Sequence, residues 1–156
     1  MQALEALYVG EANPQGYVVA NEMVASRAHV LTARCGALGA ACRSLLVTSH
    51  RAQIFPRVEG SDGYDRIICD VPCSGDGTFR KHRDKWTHWG PHQGRELHSL
   101  QLQIATRAAL LLKPGGVMAY STCRYLLFFD GFSLASKLLF AHRERSTRVL
   151  RLHGGC

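Results

Sequence analysis

Two rhythms of apolar residues alternate along the chain. Short unbroken runs occur at Tyr17-Val18-Val19-Ala20, Leu45-Leu46-Val47, Ile67-Ile68-Cys69 and Val117-Met118-Ala119-Tyr120. Runs of this length, bounded by turn residues, mark buried strands. Between them apolar positions recur at helical spacing: Val24, Ala28, Leu31 and Cys35, and later Leu97, Leu100, Ile104, Ala108 and Leu111. Each series falls on one face of a 3.6-residue helix. The pattern therefore predicts strands at 17–20, 44–48, 64–69 and 117–122, with helices at 24–38 and 96–112. Gly36 and Gly39 suit the end of the first helix. Lys113-Pro114-Gly115-Gly116 stops the second, because Pro cannot continue a helix and Gly supplies the turn. The order β-α-β, β, α-β predicts an α/β fold with a mostly parallel sheet.

At its two ends the pattern weakens. Residues 2–8 read as the last turns of an amphipathic helix, which predicts further sequence upstream. After Cys123 comes an apolar stretch, 125–129, then a possible short helix over 132–140 and an Arg-rich run to Cys156. No structure is predicted for the last dozen residues.

Composition narrows the function classes. The 156 residues suffice for one domain, and 46% of them are hydrophobic, which excludes general disorder. Nineteen Lys+Arg against twelve Asp+Glu leave a formal charge of +7, suited to a polyanionic partner such as nucleic acid. The excess gathers at Arg80-Lys81-His82-Arg83 with Lys85, and at Arg143, Arg145, Arg148 and Arg151. Trp86 and Trp89 follow the first cluster. Exposed, this stretch offers phosphate contacts and stacking surfaces for a single strand; buried, the tryptophans anchor a long loop. No apolar run approaches the ~20 residues of a transmembrane helix. Without a signal peptide, the six cysteines read as reduced intracellular thiols. Cys35, Cys42 and Cys69 are then buried or incidental.

Candidate chemistry lies at the strand ends, where α/β sheets present reactive groups. The third strand runs into Asp70-Val71-Pro72-Cys73-Ser74-Gly75-Asp76-Gly77-Thr78, and the fourth ends at Cys123. Glu22 follows the first strand, either as a first-turn helix carboxylate or as the acid that grips a ribose diol. Six residues separate Cys73 from Arg80, one too many for a cysteine-phosphatase loop. No Cys-x-x-Cys pair is present, which disfavours zinc. On these grounds alone Cys73 could equally be a loop filler.

The whole string decides more than its parts. Residues 65–81, Asp-Arg-Ile-Ile-Cys-Asp-Val-Pro-Cys-Ser-Gly-Asp-Gly-Thr-Phe-Arg-Lys, resemble the RNA cytosine-5 methyltransferases of the Sun-domain type. The Val before Pro-Cys and the Asp-Gly after Ser-Gly are closest to the tRNA-modifying branch. Gly115 to Cys123 is similar to that family's Ser-Thr-Cys motif, residues 97–105 to its intervening helix, and residues 14–22 with Arg27 to its second-strand motif. The resemblance covers about residues 2–123. It implies a Rossmann-like, S-adenosylmethionine-dependent methyltransferase fold acting on RNA, with tRNA the expected substrate, no metal and no membrane, inside the cell and by preference in the nucleus. It further implies Cys123 as the nucleophile that adds to cytosine C6, Cys73 as the thiol that helps release the product, Asp70 as the contact to base and cofactor, and Glu22 as the cofactor-ribose acid.

The chain also departs from the family. The glycine-rich first motif and the strand before it are absent, and Arg51 stands where the family has an acid that contacts adenine. Beyond Cys123 the sequence Arg124-Tyr125-Leu126-Leu127-Phe128 has no counterpart. The expectation is therefore a truncated catalytic domain over 1–123 and a divergent tail over 124–156. The alternative is a catalytically inactive fragment that serves at most as a basic RNA-binding module.

Overall fold

The computed structural model describes residues 16–36, 44–79, 84–122 and 148–153. Cys123, Cys42, residues 2–8 and the basic run Arg80–Arg83 lie outside the described residues. The chain divides into two compact units, Met1–Ala52 and Gln53–Cys156.

In the first unit, strand β1 (Val18–Asn21) leads through helix α1 (Ala25–Gly36) to strand β2 (Leu45–Thr48). The strands pair in parallel, from Val18 opposite Leu45 to Asn21 opposite Thr48. A parallel pair needs a crossover, and α1 supplies it. Ala28 and Cys35 form the buried part of its face, as the spacing predicts. Val24 stays exposed because it precedes the first helical turn.

The second unit holds strand β3 (Tyr64–Asp70), the short helix α2 (Asp84–His88), helix α3 (Pro91–Leu111), strand β4 (Leu112–Thr122) and strand β5 (Arg148–His153). The sheet order is β3-β4-β5, parallel throughout. Register runs from Arg66 opposite Val117 to Asp70 opposite Ser121. Tyr64 pairs with Leu112, so Lys113–Gly116 bulge out between the two pairings. Gly115 turns there at φ 79°. The Pro-Gly-Gly stop predicted from sequence is thus a bulge inside a longer strand.

The core is the contact between α3 and the sheet. Cys69, Val71, Ala105, Ala108, Ala109, Leu112, Met118 and Tyr120 are buried together. Three alanines along α3 let the helix lie close on the strands. Burying a side chain the size of Met118 or Leu112 is worth about 1.5–3 kcal/mol, and both are fully enclosed. Arg107 adds a tether, donating from Nε to the Phe55 carbonyl at 2.7 Å.

Several expectations shift. Helix α3 begins at Pro91, ahead of the predicted start at Glu96, because Pro at the first position is preorganised for a helix and loses no needed donor. The run 148–153 forms β5, although no structure was expected there; pairing with it satisfies the outer backbone edge of β4. Two strands predicted as buried keep large apolar side chains open to solvent: Ile68 of β3 is 70% exposed and Leu46 of β2 55%. No helix among the described residues is long and apolar enough to cross a membrane.

Candidate functional site

Strand β3 delivers the Asp70 loop. Its last residue, Asp70, is exposed, and its carboxylate makes no hydrogen bond or ion pair among the described residues. Val71 turns back into the core and donates its N–H to the Ser121 carbonyl at 3.3 Å. Pro72 is exposed and Cys73 half-buried, with a free thiol. Gly75 then adopts φ 70°, a left-handed conformation that Gly reaches without steric cost. It opens a one-turn 3-10 helix, Asp76–Thr78, closed by Thr78, whose N–H and hydroxyl both donate to the Gly75 carbonyl at 2.9 and 2.7 Å. The loop therefore leaves the sheet in a fixed shape, and Phe79 beyond it stacks edge-on against Trp89 at 5.8 Å.

From below, helix α3 grips the same loop. Gln101 is 1% exposed and donates from Nε2 to the Pro72 carbonyl at 2.7 Å. Its own Oε1 is buried without a partner. Gln101 is invisible to a count of apolar positions on the helix face. The signal was available: Gln101, Ala105, Ala108 and Leu112 are spaced as one stripe, and a polar residue centred on a small-residue stripe is a buried polar group by position.

Parallel pairing brings the end of β4 to the same sheet edge. Ser121 sits opposite Asp70, one strand spacing of about 4.8 Å away. Thr122, the last residue of β4, immediately precedes Cys123 in sequence. The carboxyl ends of β3 and β4 thus coincide, which is the arrangement that two strand-end thiols require.

Burial separates the thiols chemically. Cys69 points into the core, and loss of solvation pushes its pKa up from the ordinary 9.0 to about 11. A neutral thiol is a poor nucleophile, so Cys69 is structural, as expected. Among the described residues no cluster of three metal-binding side chains occurs.

In the first unit, the end of β1 is pinned by Asn21. Its amide donates to the His50 carbonyl at 2.9 Å and accepts from the Thr48 hydroxyl and the His50 N–H at 3.0 Å each. Glu22 follows. One carboxylate oxygen accepts the Val24 N–H at 3.0 Å, the helix-start role, and the other pairs with Arg27 at 2.8 Å. A carboxylate offers about four acceptor positions, so this grip orients Glu22 and leaves capacity for a diol. Its contact with Val24 is the predicted helix-start role. Arg51 is exposed.

The sequence profile described as 16S rRNA methyltransferase RsmB/F matches residues 6–144. The chain belongs to this family. A multisite-specific tRNA:(cytosine-C(5))-methyltransferase of Saccharomyces cerevisiae is 44% identical over 131 residues, 78% of this chain and 19% of the relative. A tRNA (cytosine(34)-C(5))-methyltransferase of Drosophila melanogaster is 40% identical over 133 residues, 78% of this chain and 18% of the relative. A ribosomal RNA small subunit methyltransferase F of Shewanella loihica is 40% identical over 111 residues, covering 71% and 22%. The chain thus spans about a fifth of the length of these relatives. The crystal structure of PH0851 superposes with a TM-score of 0.71 at 24% identity, over 81% of this chain and 28% of that one. That likeness agrees with the α/β, parallel-stranded architecture expected of a methyltransferase.

Proposed function

We propose that this chain carries catalytic residues of an S-adenosylmethionine-dependent RNA (cytosine-5) methyltransferase whose substrate is tRNA. The observation that supports it most is the register of β3 and β4, which aligns the Asp70–Cys73 loop with the strand leading into Cys123. The two tRNA-methylating relatives, at 44% and 40% identity, favour tRNA as substrate. By the same family reasoning the protein acts inside the cell, in the nucleus.

Cytosine C5 is a weak nucleophile, and the chemistry of this site addresses that. The Cys123 thiolate adds to C6, forming a C–S bond and moving electron density onto C5. Asp70 hydrogen-bonds the nitrogen edge of the base and steadies the adduct. S-adenosylmethionine, when bound, would supply the electrophilic methyl group, its sulfonium carbon–sulfur bond breaking as C5 takes the methyl and S-adenosylhomocysteine leaving. The C5 proton then passes to water, its electron pair re-forms the C5–C6 double bond, the C6–S bond breaks and Cys123 leaves as thiolate; Cys73 assists that release. Glu22 holds the cofactor ribose, its carboxylate aimed by Val24 and Arg27.

Isothermal calorimetry with S-adenosylmethionine tests the reading. The expected result is micromolar affinity that Glu22→Ala weakens about tenfold, the loss of one charge-assisted hydrogen-bond pair. Salt-steep RNA binding with no cofactor binding would overturn it in favour of a basic RNA-binding module.

A further inference from the structure

We propose that Gln101 is the positioning residue of the Asp70 loop and sets the direction of the Cys73 thiol. The role rests on the function proposed above only for what Cys73 then does. The geometry stands by itself. Asp70 and Pro72 are exposed and Cys73 is half-buried, so the loop sits on the outside of the core. A single buried amide on α3, 29 residues away in sequence, reaches up and holds the Pro72 carbonyl at 2.7 Å.

That carbonyl belongs to the peptide plane that also contains the nitrogen and Cα of Cys73. Fixing the direction of the Pro72 oxygen therefore fixes the plane from which the Cys73 side chain departs. Pro72 restrains its own φ. Gly75, in its left-handed turn, ends the loop. Between these two points the orientation of the Pro72–Cys73 peptide is set from outside the loop, and Gln101 is the group in contact with it.

The unpartnered Oε1 sharpens the argument. An amide buried with one polar atom unsatisfied costs about 1–3 kcal/mol, and Gln101 is among the most enclosed side chains of the molecule. A methionine of similar shape would fill the same space without that cost. What glutamine adds there is the N–H donor to Pro72.

The test compares Gln101→Met and Gln101→Glu with Gln103→Met, a control on the exposed side of the same helix. Iodoacetamide labelling, resolved cysteine by cysteine by mass spectrometry, reads the Cys73 thiol, with Cys35 and Cys69 as internal reporters of general loosening. Hydrogen exchange reads the loop. In a folded Gln101 variant, Cys73 alkylation and exchange at its amide rise about fivefold, the equivalent of one lost hydrogen bond, while Cys35 and Cys69 keep their rates. An unchanged or slower Cys73 rate overturns the proposal. Loss of folding in both variants overturns it too, since Gln101 would then be a core residue. A parallel gel assay with tRNA separates this idea from the catalytic one. Gln101→Met should accumulate a covalent protein–RNA adduct by slowing release. Altered Cys73 labelling with no such build-up would remove Cys73 from release and leave the positioning role intact.

Discussion

Cys69 and Cys73 lie four residues apart and have opposite environments. Cys69 faces the core and is pushed to about 11; Cys73 is half-buried on the loop. Because the folded protein holds the Cys69 proton more tightly than the unfolded chain, stability is undiminished below pH about 9 and falls as pH rises toward 11. Urea unfolding between pH 8 and 11 should show that decline, and Cys69→Ala should flatten it at the cost of a small cavity. The Asp70–Cys73 loop was legible as a candidate site because its residues are consecutive in sequence. Gln101 was not, since its function depends on a partner 29 residues away. The Glu22 alternatives were both visible in sequence. The structure adds that its contacts with Val24 and Arg27 leave acceptor positions for the second role.

Elements obeyed the hydrophobic rhythm wherever burial alone decided them. The four strands and two main helices fall where the pattern predicts them. Three departures reflect backbone needs that the pattern does not record: the start of α3 at Pro91, the extension of β4 back to Leu112, and the recruitment of 148–153 to the edge of β4. The entry to β3 carries a further backbone demand. Gly63 has φ 122°, and a Cβ there would stand 2.5 Å from the Leu111 carbonyl oxygen and 2.8 Å from the Lys113 nitrogen. Backbone atoms cannot move aside cheaply, so Gly63→Ala should destabilise by more than about 2 kcal/mol in urea titrations. Two residues further on, Asp65 pairs with Lys113 across β3 and β4. The hydrogen bond from Lys113 chiefly holds the Asp65 carboxyl below its ordinary 3.8. Both side chains are solvent-exposed, so Lys113→Ala should cost under about 1 kcal/mol. That small loss is present above pH about 4 and vanishes as acid protonates Asp65.

At the scale of the whole molecule, parallel strands put every carboxyl end of a sheet at one edge, and the β3–β4 register sets Asp70 opposite Ser121 there. Family membership, read first from the string around Cys73, is borne out by the profile match over residues 6–144. The net charge of +7 suits an RNA partner but does not choose one. Choice of target is a property of surfaces that spacing along the chain does not encode. The account turns on the attacking thiol being Cys123, the residue that follows Thr122 at the end of β4. Trapping with tRNA that carries 5-fluorocytosine tests this most directly, because fluorine cannot leave as a proton does and the C6–S adduct persists. The wild-type chain should give a denaturation-resistant protein–RNA complex that Cys123→Ala abolishes and Cys73→Ala retains. A complex that survives Cys123→Ala and is lost in Cys73→Ala would contradict the account and return the nucleophile to the loop.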